Sequence, residues 1–460
     1  MKQQTACSEV CESSIVPRIA TLAKTILEGK VTHQMIKKAA ALALSFALTA
    51  APMFANEGPV PKGVPHLDHV FVIMMENHAY NQILNNPNAP FIDKFAKQNN
   101  LATNYFAIAH PSLTNYLETV GGSNFGVHAD NFPNWHSETP CSPNLTTGFE
   151  STDTPATPTI CPIEGTGTDA ATVAIDCTNE FTCPPGSTAG DLNIDGIKSI
   201  PAAHNISGKT IADQLVEHGL SWKSYQQSLP LAGPDLVATS DGEYTDTTDF
   251  SQILPAQNPP LAQADVVALY AVKHNPFVYF QNVQEGHNPR NSFKNVVSFE
   301  GKHGLYADLA SGDVPEYSFI APNQCNDQHG RSNGGAFCAF DPNDDGMQDG
   351  LNPALIYRGD VEVQRIVEAI HNSPVWERGN SAIVLLWDEN DYSPAPTLNK
   401  VVFVVDTNYG PHGVQSSTYY NHFSLLKTVE AAFDLPCLNH ACDPDVKVIS
   451  DLFEGGHGRH

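Results

Sequence analysis

Glu76 and Asn77 follow directly on one apolar run, His69 to Met75 (HVFVIMM), and Asp388 and Glu389 follow directly on another, Ser381 to Trp387 (SAIVLLW). Each pair therefore places oxygen donors at the end of a stretch that reads as a buried strand, where ligands bind in open α/β sheets. A carboxylate beside an amide or a second carboxylate suits a hard divalent cation. Acidic groups brought together from two strand ends repel each other and need such a charge between them. Taken singly, each pair also reads as a polar turn or a helix start.

Between them lies His110-Pro-Ser-Leu-Thr-Asn-Tyr116. Ser112 precedes a predicted helix running through Thr119. A hydroxyl there sits near backbone N–H groups that favour an anionic phosphate. A free serine holds its proton near neutral pH, and metal coordination weakens that hold. Asn115, three residues on, can face the same ligand. The plainer reading of Ser112 is a helix cap. His287 follows one more apolar run, and Asp327 and His329 follow another. Either histidine suits contact with phosphate oxygens or protonation of a leaving group, although among 19 histidines most must be structural. His422 begins a predicted helix and either reaches the site or only caps it.

A separate loop places Asp341, Asn343, Asp345 and Asp349 at positions 1, 3, 5 and 9, with Gly346 at position 6. This pattern resembles a calcium loop, with Asn352 where such loops carry Glu. A structural Ca2+ and a plain acidic turn both fit.

The elements that must position these groups are strands at 69–75, 277–283, 317–321, 381–387 and 400–405, and helices at 89–99, 112–119, 207–219, 360–371 and 422–433. The strand runs do not alternate, so they are buried on both faces, which predicts a sheet sandwiched between helix layers. Loop-rich insertions interrupt the pattern near 131–201 and 325–352.

The chain has 460 residues, 41% of them hydrophobic, and a net charge of −26. That charge argues against a nucleic-acid partner, because phosphate backbones attract basic surfaces. A small phosphate ester stays compatible, since a metal ion supplies positive charge locally. Lys37 and Lys38 precede the apolar stretch 39–55, which reads as a secretory signal, with Met35 as an alternative start. The expectation is a leader over 1–55, one catalytic domain over 56–460 with no membrane span, and a periplasmic or secreted location. Cysteines recur in neighbouring pairs, 141/161, 177/183, 325/338 and 437/442, which suggests disulfides in an exported chain.

In combination the motifs resemble the phosphoesterase family that contains bacterial and fungal acid phosphatases and bacterial phospholipases C. The resemblance rests on Met75-Glu-Asn77, the His110–Tyr116 segment, Phe277–Asn282, Tyr317–His329, Trp387-Asp-Glu389 and His422–Leu426. It implies an alkaline-phosphatase-like fold, a mixed sheet between helices. It implies one divalent metal ion, of unspecified identity, held by Glu76, Asn77, Ser112, Asp388 and Glu389. Ser112 is then the nucleophile, Asn115 holds a phosphoryl oxygen, and His287 and His329 contact phosphate. Thr114 stands where the family usually has Pro. The implied reaction is hydrolysis of a small phosphate ester or a phospholipid through a phosphoserine. An acid-phosphatase-like monoesterase is the first expectation and a phospholipase C-type diesterase the second. A non-catalytic exported calcium-binding protein is the reading from another class.

Overall fold

The computed structural model describes residues 57–109, 112–125, 206, 208–229, 270–330, 353–390 and 399–453. The strands in chain order are β1 (His69–Met75), β2 (Asn100–Ala102), β3 (Tyr105–Phe106), β4 (Trp222–Gln226), β5 (Val296–Ser298), β6 (Tyr317–Ala321), β7 (Ser381–Trp387), β8 (Phe403–Thr407), β9 (Gln415–Ser416) and β10 (Tyr420–Asn421). Eight make one sheet in the order β5-β4-β6-β1-β7-β8-β2-β9, and β3 pairs separately with β10. From β5 to β7 every neighbour is parallel. β8 runs antiparallel to both β7 and β2, which makes the sheet mixed.

Every residue of β6 and β7 is buried, as is all of β1 after His69. Such strands have no water-facing side, so both faces must be covered. The main helices are α1 (Pro90–Gln98), α2 (Ser112–Gly121), α3 (Ile211–Glu217), α4 (Pro353–His371) and α5 (His422–Ala432). α1 packs on α4, and α2 packs on α5. All ten residues of α2 are buried, so the helix that begins with Ser112 is held on every side. This is the expected α/β architecture of a mixed sheet with flanking helices.

Three local expectations need correction. The run from Phe277 to Val283 is not a strand: it forms a 3-10 turn, Pro276–Tyr279, and a short helix, Gln281–Glu285. Pro276 starts the turn, a position that suits its fixed φ and missing N–H. An apolar run buried all round carries no periodicity to separate the two states. The helix expected from Ser207 begins later, at Ile211, where Thr210 N–H donates to Asp213 Oδ2 at 2.8 Å. β8 starts at Phe403, because Val401 N–H is taken by Tyr105 O at 3.1 Å, off the main sheet. β4 carries no apolar alternation and gave no strand signal. Its buried Ser224 and Gln226 instead bond the turn beside them, as described below.

Cys437 and Cys442 form the expected disulfide, and Cys325 is disulfide-bonded too. Cys141, Cys161, Cys177, Cys183 and Cys338 lie outside the described residues, as do the leader, the 131–201 insertion and the candidate calcium loop of Asp341, Asn343, Asp345 and Asp349. Among the described residues no helix is long and apolar enough to cross a membrane.

One buried acid lies on the helix that packs behind Ser112. Glu430, on α5, accepts Leu438 N–H at 2.8 Å through Oε1, while Oε2 has no hydrogen-bond partner. Burial raises its pKa well above the usual carboxylate value, with Lys427 partly opposing. A raised folded-state pKa contributes stability below the unfolded pKa and loses it as pH rises toward the folded one. Glu430→Gln keeps the acceptor without the ionisation. The variant should melt higher than the parent by about 2 °C or more at pH 8, with a smaller gap at pH 5. A gap of equal size at both pH values would show that Glu430 titrates normally.

Candidate active site

β1 and β7 are parallel neighbours with Met75 opposite Trp387, so Glu76 and Asp388 leave the sheet side by side. The turn is pinned by Asp388 N–H to Met75 O and Glu76 N–H to Asp327 O, each 2.9 Å. Asn77 adopts a left-handed backbone, φ 51°, which Asn tolerates better than most residues. Its N–H then donates to Asp388 Oδ1 at 3.1 Å.

Ser112 opens α2 facing these strand ends. Its hydroxyl donates to Glu76 Oε2 at 3.0 Å, and Oγ also lies 3.3 Å from Glu389 Oε1. A serine has one hydroxyl hydrogen, so the carboxylates around it compete for it. Asn115 lies one turn along the same face. Its amide donates to Glu389 Oε2 at 3.1 Å and Ala109 O at 2.9 Å, while Oδ1 accepts the N–H groups of Ile108 and Ala109. Asn399 reinforces the corner by donating to Ala109 O at 3.0 Å. The resemblance gives Asn115 a phosphoryl oxygen to hold. Both of its amide protons are instead engaged within the protein, and the residue ties Glu389 to the segment before Ser112.

His274 is the residue the sequence reading missed. Nε2 lies 3.1 Å from Glu76 Oε1 and Nδ1 lies 3.3 Å from Asp327 Oδ2, so an acid flanks the ring on each side. The ring stacks on Tyr116, centroids 5.3 Å apart and planes 7° apart. β4 holds the turn that carries it: Gln226 Nε2 donates to His274 O at 3.2 Å and Ser224 Oγ to Asn275 Oδ1 at 3.2 Å. The Lys-His-Asn-Pro segment was hidden because the apolar run after it imitates a strand.

Asp327 belongs to the loop after β6. Its Oδ1 accepts His329 N–H at 2.8 Å. Gln328 has φ 81° and is locked by Trp387 Nε1–H to its Oε1 at 2.9 Å and by its own Nε2 to Ile356 O at 3.0 Å. His329 follows, its ring 6.0 Å from that of His274. His287 is exposed in the turn after Gln281–Glu285.

Glu76, Ser112, Asn115, Asp327, Asp388 and Glu389 are all 2% exposed or less. Burial, and then the charge of Glu389, push Asp388 up to about 8. Burial, and then Asp388, raise Glu76 well above the carboxylate range, with Lys273 pulling the other way. Burial raises Asp327 and lowers His274. Four acids this deep are several kcal/mol out of balance each without countercharge.

The donor set fits a divalent cation. Asn77 Oδ1 and Asp388 Oδ2 are buried and make no hydrogen bond, and both belong to the residues expected to ligate. Among the described residues no three His, Cys, Asp or Glu side chains close into a ready ligand cage. Fit here rests on carboxylate charge, oxygen chemistry and orphaned acceptors.

The sequence profile of the Phosphoesterase family matches residues 83–436. An acid phosphatase of Aspergillus fumigatus is 25% identical over 428 residues, covering 92% of this chain and 67% of that protein. A phosphatidylinositol-3-phosphatase of Mycobacterium tuberculosis is 22% identical over 412 residues, covering 87% and 90%. The chain spans 55–67% of the length of the acid phosphatases it matches in Aspergillus fumigatus, Kluyveromyces lactis and Penicillium chrysogenum. Among solved structures, a Vibrio parahaemolyticus protein of the alkaline phosphatase superfamily aligns over 86% of this chain and 74% of its own, with 11% identity and a TM-score of 0.39.

Proposed function

The chain belongs to the Phosphoesterase family, and on that premise we propose that it is an exported, metal-dependent phosphomonoesterase acting through Ser112. The observation that carries this reading is one serine hydroxyl at a helix start within 3.3 Å of acids from both strand ends.

Ser112 Oγ attacks phosphorus, the alcohol leaves, and water then hydrolyses the phosphoserine. The Ser112 hydroxyl hydrogen-bonds Glu76 Oε2 before attack, and its proton is balanced by the one the leaving alcohol takes up. The first turn of α2 presents the positive end of its dipole to the phosphoryl group. Asn115 keeps Glu389 and the 108–109 backbone in register with Ser112. His329 would protonate the leaving alcohol, and no role is assigned to His287. Glu76, Asn77, Asp388 and Glu389, with Ser112, would hold a divalent cation, which when bound supplies positive charge that eases ionisation of the hydroxyl and offsets charge on the phosphoryl oxygens.

Relatives described as phosphatases support the monoester reading over the diester one. Turnover of p-nitrophenyl phosphate should exceed that of p-nitrophenylphosphorylcholine by about tenfold or more, roughly 1.4 kcal/mol of transition-state preference. The reverse order makes the chain a phospholipase C-type diesterase. Release from neither ester, with cation bound, would make it a binding protein.

A further inference from the structure

Asp388 and Glu389 are consecutive, and in a strand consecutive side chains point to opposite faces. Here both serve one site: Asp388 Oδ1 meets Asn77 N–H, and Glu389 meets Ser112 and Asn115. The chain must therefore leave extended geometry just after Trp387, which takes the Asp388 carbonyl out of the sheet ladder while it stays buried. A buried carbonyl without a donor is costly.

The donor is His422. Its Nε2 lies 2.7 Å from Asp388 O, and its Nδ1 lies 3.0 Å from the Tyr105 hydroxyl. A carbonyl only accepts, so Nε2 carries the hydrogen, Nδ1 is the acceptor, and Tyr105 O–H donates to it. Both side chains are fully buried, and Tyr105 stacks on Phe403 with centroids 4.2 Å apart. The β3–β10 pairing sets Tyr420 opposite Tyr105, which brings His422 against the Tyr105 hydroxyl. The helix cap at this point is Asn421, which accepts Ser424 N–H at 3.1 Å, so His422 is released from capping.

We propose that Tyr105 and His422 are positioning residues: Tyr105 fixes the ring tautomer, and His422 Nε2–H holds the Asp388 carbonyl in the turn that aims Asp388 and Glu389 together. This rests on the reading of the site as a cation-dependent esterase.

The test uses His422→Ala, His422→Gln and Tyr105→Phe, with Ser112→Ala in parallel. Mn2+ affinity is read by calorimetric titration, which needs no turnover, and kcat and KM are read with p-nitrophenyl phosphate. His422→Ala should weaken Mn2+ binding and lower kcat by about 10- to 100-fold, as loss of an outer-shell partner does, with KM little changed. His422→Gln, whose amide can donate to the same carbonyl, should recover most of both. Tyr105→Phe removes a single hydroxyl and should lower kcat several-fold in the parent. In the His422→Gln background it should cost nothing, because an amide has no tautomer to fix. An equal cost in both backgrounds reduces Tyr105 to packing, and unchanged Mn2+ affinity in a folded His422→Ala overturns the inference. If Ser112→Ala keeps its turnover, the esterase reading of Ser112 fails, and the Mn2+ titrations still decide the brace.

Discussion

Ser112→Ala should lower phosphate release by about three orders of magnitude or more, equivalent to roughly 4 kcal/mol of transition-state stabilisation. The fold should survive. Ser112 opens α2, and its hydroxyl bonds the acidic side chains of the site, Glu76 and Glu389 among them. Alanine at a helix start costs about 1 kcal/mol, which is small against a domain's total stability. Circular dichroism and the thermal midpoint would show this beside the rate assay. A folded variant retaining a tenth of parental turnover would remove Ser112 as nucleophile. A second readout addresses the intermediate itself. If all substrates pass through one phosphoserine, an added alcohol must capture a constant share of the phosphoryl group whatever the leaving group. A share that varies with the leaving group means direct attack by water.

Asp388→Asn should give the second-largest effect, and its sign should change with the cation. The asparagine can still accept Asn77 N–H, a 3.1 Å contact in the parent, so the turn keeps its shape. One buried negative charge beside Glu76 and Glu389 is gone. With the protein freed of cation by a chelator, the variant should melt above the parent, because the parent must either crowd like charges or take up a proton to bury Asp388. With Mn2+ in excess the order should reverse, because the parent gains more from ligation: about 2.7 kcal/mol at a hundredfold excess over Kd. Phosphate release should fall by at least about a hundredfold, as expected when a group that stabilises transition-state charge is lost. The same melting order with and without Mn2+ would mean that Asp388 is not a cation ligand.

These two residues also show how unevenly the site was written into the chain. Glu76–Asn77 and Asp388–Glu389 are legible because each follows an unbroken apolar run, and the end of such a run is local information. Ser112 and Asn115 are legible for the same reason, as spacing on one predicted helix face. That the pairs meet is a matter of register: Met75 sits opposite Trp387, so the residues after them emerge together. Register depends on packing across the whole sheet, and no local pattern states it.

His274, Tyr105 and His422 mark the other side. A histidine between two acids has no sequence signature, because its partners Glu76 and Asp327 come from other segments. Tyr105 meets His422 across 317 positions of chain. The run from Phe277 to Val283 was readable as buried but not as turn and helix, since an apolar segment covered on all sides looks alike in either state. By itself the sequence determined which groups carry charge, which runs are buried and where each run stops, because those depend on composition and near neighbours. Only the tertiary structure decided which acid faces which hydroxyl, that Asn115 spends its amide on Glu389, and that a buried tyrosine and histidine brace the Asp388 turn. Those contacts exist only once distant segments exclude water together, and the strength of each is set by the low-dielectric interior they jointly create.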